Sequence, residues 1–449
     1  MFLVNKLSII VAPMLWHYWE IELNDLALKI NNSQEYNTTS YSDFMSGVLA
    51  PEFDFNYVSL FSSAGISDFG LKLLGGTCLA ACELDVNRRL VHKTNISGKI
   101  FHDIREDKNR LIEYVQTLDK TLDLVFATPP CQSFSTANSR RGKLKDTNSA
   151  NSDPRNFLFF EALEISCNLN PKFIVIENVP NFGRRLLRNE QGAEGHVEEF
   201  IDVILSNYIG QTFVKCVSDF GVPQSRKRSF SIYIRKDIAK ENNIHSKDVN
   251  KLKYIKPLDA PKNIIDAIGH LPELDSRSKD SNSYKNDIFH HVPVLSDKHY
   301  SWIANIPANS GKSAWMNSCE HCGSAATPMF EIKCSSCGKD IKVRPHIIEN
   351  NGSTRSIKGF RTSYKRIHPD GLSSAITTNT NAFSSDNKLH PSQNRVLSVR
   401  ECMLIQSIPD TFIWPEQIFY KSMHLVREMV GEALPPLVSY QLARELFRL

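Results

Sequence analysis

The 449-residue sequence has no apolar run approaching the roughly 20 residues needed to cross a bilayer, which excludes a helical membrane protein. It has no marked excess of either charge. Its 53 Lys and Arg against 49 Asp and Glu leave a formal +4, too little to argue for a nucleic-acid partner. No internal repeat is present. The apolar stretch Leu7–Trp16 behind Lys6 lacks a small-x-small cleavage site, so it reads as ordinary N-terminal structure rather than a secretory signal. The ten cysteines are too sparse for a secreted disulfide scaffold, and a reducing cytoplasm is the expected compartment. What is present suffices for a sizeable core: 41% of residues are hydrophobic and 23% charged, over a length that suggests two or three domains.

Residues 1–54 form an N-terminal extension without a usable motif. From Tyr57 the pattern alternates short apolar strands with helical spacing. Strands are expected at Tyr57–Phe61, Thr77–Cys82, Leu122–Ala127, Phe173–Ile176 and Ser229–Ile234, with helical segments at Phe69–Leu74, Leu111–Leu118 and Phe157–Cys167. Apolar strands between helices predict an α/β fold, a parallel sheet covered on both faces. The regularity stops after Arg235. Residues 240–395 are irregular, with Asp275–Asp287 read as a flexible connection, and a helical pattern returns over 396–449. One α/β domain (55–239 and 396–449) interrupted by a separate, less regular one is the expected arrangement.

Chemistry-bearing residues cluster at the strand ends. Strand Tyr57–Phe61 runs into Ser62-Ser63-Ala64-Gly65 and a helix, a turn whose small residues let a ligand approach backbone N–H groups. Glu83 closes the second strand 18 residues after Gly65, near the offset for an acid that bonds ribose hydroxyls, and Asp103 stands where an adenine amino group is within reach. Thr128-Pro129-Pro130-Cys131-Gln132 follows the strand Leu122–Ala127. Two prolines fix the backbone before the thiol, and Arg140, Arg141, Lys143 and Lys145 favour its thiolate. Glu177-Asn178-Val179 ends another strand and offers an acid. In Gln224-Ser225-Arg226-Lys227-Arg228 both arginines point to one face of an extended segment. Within the irregular region, Cys319-x2-Cys322-x11-Cys334-x2-Cys337, each pair followed by glycine, has the spacing of a closed structural Zn2+ site.

These residues, in this order, resemble the DNA (cytosine-5) methyltransferases of bacterial restriction–modification systems. Leu60-Phe61-Ser62-Ser63-Ala64-Gly65 is similar to the family's cofactor turn and Pro130-Cys131-Gln132 to its nucleophile motif. Glu177-Asn178-Val179 is similar to the acid motif and Gln224-x-Arg226-x-Arg228 to the paired-arginine motif. Arg395-Val396-Leu397-Ser398-Val399-Arg400-Glu401 and Gly431-Glu432-Ala433-Leu434-Pro435-Pro436 resemble the two late motifs. The resemblance covers about 57–235 and 367–449.

The resemblance implies a Rossmann-like methyltransferase domain, S-adenosyl-L-methionine as methyl donor and double-stranded DNA as partner, with a flipped-out cytosine as substrate. It further implies that Cys131, next to Gln132, attacks C6, that Glu177 protonates ring N3, and that Arg226 holds Glu177 and the cytosine O2 side, with Arg228 beside it. Phe61, Ser63, Gly65, Ile66, Glu83, Asp103, Ile104 and Pro129 are the implied cofactor residues. Residues 240–395 become the target recognition domain, stapled by the zinc ribbon 319–337 because an irregular region has little core of its own. Its basic run Lys333–Arg366, with nine Lys/Arg against two Asp/Glu, offers Arg355, Arg361, Lys365 and Arg366 as DNA contacts. The family commonly acts as monomers, alongside a cognate endonuclease that works independently.

The sequence departs from the family pattern in three places, four residues in all. Ser63 and Ile66 stand where the cofactor turn usually has glycine, so its backbone path need not match. Glu432 replaces an asparagine, and Thr128 a common glycine. Two rivals compete with this reading. A tRNA cytosine-5 methyltransferase on the same fold has little recognition insert, whereas this chain has about 155 residues of it. A DNA-binding protein with a dead catalytic half would not need Cys131, Glu177 and Arg226 intact. The near-neutral total also divides by region: residues 236–400 carry 24 Lys/Arg and 16 Asp/Glu, a net +8, which leaves −4 elsewhere.

Overall fold

The computed structural model describes residues 50–130, 153–189, 192–252, 263–357 and 359–449. Cys131 and Gln132, the four basic residues 140–145 and nearly all of the N-terminal extension lie outside the described residues.

The strands begin where near-continuous apolar sequence begins. β1 (Phe55–Leu60) is buried on both faces, as a strand sandwiched between helices must be. It leads through Phe61–Gly65 into α1 (Ile66–Leu74), then β2 (Gly76–Cys82), α2 (Val86–Asn95), β3 (Lys99–Phe101), α3 (Ile104–Thr117) and β4 (Leu124–Ala127). α4 (Leu158–Leu169) and β5 (Phe173–Asn178) follow. A short hairpin β6 (Leu186–Arg188) and β7 (Glu194–His196) precedes α5 (Val197–Ile204), β8 (Tyr208–Cys216), β9 (Gln224–Ser225) and β10 (Lys227–Arg235). Asp85 and Asp103 start α2 and α3 as N-caps, their carboxylates accepting from Asn87 and Arg88 N–H and from Arg105 N–H.

Among the described residues, seven strands form one sheet in the order β3-β2-β1-β4-β5-β10-β8. β3 through β5 run parallel, in register Val58↔Ala80, Val58↔Val125 and Val125↔Ile174, while β10 is antiparallel to both β5 and β8. The strand order reverses between β1 and β4, so the carboxyl ends there form the crevice in which open α/β sheets bind ligands. Alternate residues feed two cores. Tyr57, Phe126 and Val175 face α1 and the C-terminal helices, and Val58, Val125 and Ile174 face α3 and α4.

The chain from 240 to 395 differs from its expected character in two ways. It has a core of its own: Trp302, Ile303, Trp315, Tyr364 and Leu389 are buried together, with Tyr364 edge-on to Trp302 (5.7 Å, 89°) and to Trp315 (5.4 Å, 82°). α6 (Asp297–Ala304) supplies Trp302. Asp275–Asp287 is also not a loose connection. Tyr300 donates to Asp275 at 2.9 Å, and buried Asp287 is held by Arg400 at 2.6 Å. The last segment packs back beside the central sheet through α7 (Val399–Ile405), α8 (Met423–Glu432) and α9 (Pro436–Phe447), the last lying on α1 with Ser439 Oγ donating to Ser67 O at 2.6 Å.

Candidate active site

A cavity of about 520 Å³ lies over the carboxyl edge of the sheet, within the range of small-molecule sites. Each of the five parallel strands contributes residues at or just beyond its carboxyl end: Phe61–Ser63 after β1, Glu83 after β2, His102–Ile104 after β3, Thr128–Pro130 after β4, and Glu177 within the end of β5. Of the expected cofactor residues, Phe61, Ser63, Ile66, Glu83, Asp103, Ile104 and Pro129 line it. Gly65 does not; it caps α1 at φ +76, where an added Cβ would meet His92 Cδ2 at 2.9 Å.

Serine at 63 does not prevent the tight turn. Ser63 itself adopts the left-handed region at φ +48, with Phe61 at +58, so the turn keeps a glycine-like path with side chains on it. The Glu83 carboxylate braces that path, accepting from Ser63 N–H at 2.9 Å and Asp85 N–H at 2.8 Å. Ser62 Oγ and Ser63 Oγ both border the cavity, buried and with no hydrogen-bond partner among the described residues. Unpartnered hydroxyls, two strand-end acids and walls of Phe61, Ile66, Leu84, Ile104 and Leu434 suit a ligand with an apolar ring and polar edges. S-adenosyl-L-methionine has that character, and the residues present fit it.

Glu177 is mostly buried on β5 opposite Phe230 of β10. Burial pushes its carboxyl up from the ordinary value, opposed by the charges of Arg228 and then Arg226. The ion pair is with Arg228, whose Nε lies 2.8 Å from Glu177 Oε1. Arg226 adds its charge beside Glu177, while three of its hydrogen bonds go elsewhere. It sits between β9 and β10, and its buried guanidinium donates to Ile376 O (2.7 Å), Gly431 O (2.8 Å) and Glu432 O (3.1 Å). Both arginines line the cavity, as alternation implied, but they reach opposite partners. Gln224 completes the join: Ile376 N–H donates to its Oε1 at 2.9 Å, and its amide donates to Gln406 at 2.8 Å.

Glu432, the departure from the late motif, lines the cavity and pairs with Arg88 at 2.7 Å. Arg88 carries no motif signal, and only the fold brings it to a residue 344 positions away. Arg105 and Arg155 also border the cavity unannounced by any spacing.

The sulfurs of Cys319, Cys322, Cys334 and Cys337 all lie within 4.8 Å of one another, with Cys319–Cys337 at 3.7 Å and Cys322–Cys334 at 3.6 Å. Thiolates about 2.3 Å from a tetrahedral Zn2+ stand about 3.8 Å apart, so the donor set fits that ion. Gly323 and Gly338, at φ +73 and +71, close each pair by donating to Cys319 O and Cys334 O. Arg355 and Arg361 are exposed and Lys365 half-buried, and Arg355 is paired with Glu349. Arg366 is different. It is 1% exposed, and its guanidinium donates to the carbonyls of Ile303, Ile306, His390 and Gln393 and to Asn394, so it is occupied internally and not presented to DNA.

A family model described as C-5 cytosine-specific DNA methylase matches residues 55–448. The type II methyltransferase M1.HgaI of Avibacterium volantium is 28% identical over 419 residues, covering 87% of this chain and 97% of that one. The type II methyltransferase M.FnuDI of Fusobacterium nucleatum is 27% identical over 395 residues, covering 87% and 93%. A solved E. coli structure, described as a prophage-encoded DNA modification methyltransferase, shares the fold with a TM-score of 0.55 at 18% identity, covering 88% of this chain and 99% of that one.

Proposed function

The chain belongs to the C-5 cytosine-specific DNA methylases, and from that premise we propose that it methylates C5 of a cytosine within a specific double-stranded DNA sequence, with S-adenosyl-L-methionine as donor. The observation that carries the reading is the Glu177–Arg228 pair, set in the cavity beside Pro129 and Pro130, one residue before Cys131. Phe61, Ser63, Ile66, Glu83, Asp103, Ile104 and Pro129 would hold the cofactor, with Gly65 shaping its turn. The cofactor supplies an electrophilic methyl group when bound.

The chain's own residues do the rest. The target cytosine leaves the stack, at a cost of a few kcal/mol, because its ring atoms are out of reach within the duplex. The Cys131 thiolate adds to C6 and pushes electron density onto C5, and Glu177 gives its proton to N3 so that the ring accepts the charge. A carboxyl raised by burial is suited to arrive protonated, and Arg228 orients it. Arg226 acts one step back by holding Gly431 and Glu432, the far wall of the site. Loss of the C5 proton and departure of Cys131 then give 5-methylcytosine. Gln132 follows the nucleophile in its motif.

Residues 240–395 serve as the reader of the DNA sequence, with Arg355, Arg361 and Lys365 as contacts to it. Zn2+ held by the four cysteines stabilises that unit and leaves no open catalytic position. The type II names of the relatives support a role in protecting host DNA beside an endonuclease. The test is transfer of a labelled methyl group to duplex DNA of mixed sequence. Wild type labels DNA, and Cys131→Ala and Glu177→Gln lose nearly all of it. Labelling of tRNA alone, or of nothing, contradicts the reading.

A further inference from the structure

The cavity has two walls that come from distant parts of the chain. One is built from strand ends and turns between Phe61 and Arg228; the other is Glu432, Ala433 and Leu434, which reach the site from beyond the insert. One pair of oppositely charged lining residues bridges them among the described residues. Arg88 Nη2 lies 2.7 Å from Glu432 Oε2 and 2.9 Å from Oε1. Their side chains are 27% and 30% exposed, which puts the contact at the rim.

The backbones on either side are fixed without this contact. Arg226 pins the carbonyls of Gly431 and Glu432. Asn95 at the end of α2 exchanges two hydrogen bonds with Ile413, at 2.8 and 2.7 Å, and Lys421 Nζ reaches Asn87 at 3.1 Å. The Arg88–Glu432 contact is therefore not what assembles the walls. It adds a charged side-chain bar across an opening that already exists. An asparagine at 432 would be neutral and shorter by one methylene, and could not form an ion pair there.

We propose that Arg88 and Glu432 form a clasp across the rim that slows release of the bound cofactor and of its demethylated product. The clasp rests on the S-adenosyl-L-methionine reading above. Neither residue takes part in the chemistry; they act on the residence time of what the cavity holds.

The probe is S-adenosylhomocysteine, with its dissociation from the purified full-length chain followed by stopped-flow competition. Arg88→Gln and Glu432→Gln each speed release by about two- to fivefold, the range of a partly exposed ion pair, with association unchanged. The reversed pair, Arg88→Glu with Glu432→Arg, returns release to within about twofold of wild type, because the mutual attraction across the rim is restored. Salt raised from about 0.05 to about 0.5 M speeds release from wild type and not from the single variants. Single variants that release at the wild-type rate overturn the clasp, as does a reversed pair as fast as the singles; the latter would mean that Arg88 or Glu432 touches the ligand directly. Wild-type protein that fails to bind S-adenosylhomocysteine at all overturns the cofactor reading and the clasp with it.

Discussion

Arg366 offers the sharpest contrast between a surface role and a structural one. Replacing it with methionine keeps most of the volume and removes five hydrogen bonds, four of them to buried main-chain carbonyls. Bonds from a charged donor contribute about 1.5 kcal/mol each at the lower end, so their loss approaches about 7 kcal/mol. Part of that is returned. Burial pushes the Arg366 guanidinium down to about 10, and the corresponding desolvation, relieved by methionine, is about 3 kcal/mol. The net expectation is a loss of about 3–4 kcal/mol, in line with breaking other buried charge networks. Urea unfolding followed by fluorescence of the buried Trp302 and Trp315 measures it. Arg361→Gln, at an exposed position, should stay within about 0.5 kcal/mol. A stable Arg366→Met protein with weakened DNA binding would refute the reasoning and return Arg366 to the DNA surface.

Other outcomes follow from the same geometry. Gly431→Ala would place a Cβ 2.4 Å from Thr377 C and 2.6 Å from Thr378 N, both backbone, so it should destabilise by about 1–3 kcal/mol in thermal unfolding. Metal analysis should find about one zinc per chain, and a strong chelator should lower the melting temperature and expose the insert to protease; metal-free protein of undiminished stability contradicts the ribbon. His390 gives a pH signature. Burial holds it at about 3, and its Nδ1 accepts from Ser392 and Gln393 N–H, which requires the neutral ring. Its folded value lies below the unfolded one, so stability is full above about pH 6.5 and falls as acid is added, by about 2 kcal/mol at pH 5; His390→Gln should flatten that slope in urea titrations.

The central sheet was legible because its strands are short apolar runs between helical spacings. Phe173–Ile176 and Thr77–Cys82 were expected almost where β5 and β2 occur. β8 was not expected, because Tyr208–Cys216 is an edge strand whose half-exposed residues break the apolar pattern. Position at strand ends located the cavity, yet not who pairs with whom in it. Arg226 and Arg228 are equivalent by alternation, and the break between β9 and β10 sends one to Gly431 and the other to Glu177. Arg88 had no signal at all, since an ion pair across 344 residues exists only after folding. Charge was legible only in bulk. Arg344, Arg366, Arg395 and Arg400 all count toward the net +8 of residues 236–400, yet each is buried.

The central claim is that Cys131 attacks a cytosine whose C5 receives a methyl group. Duplex DNA carrying 5-fluorocytosine at the target position tests it most directly, because fluorine cannot leave as the C5 proton does and the thiol remains attached. With S-adenosyl-L-methionine present, a protein–DNA adduct should accumulate that survives denaturation and maps by mass spectrometry to the peptide containing Cys131, and Cys131→Ala should form none. An adduct at another residue, or active methylation with no adduct at all, would contradict the account.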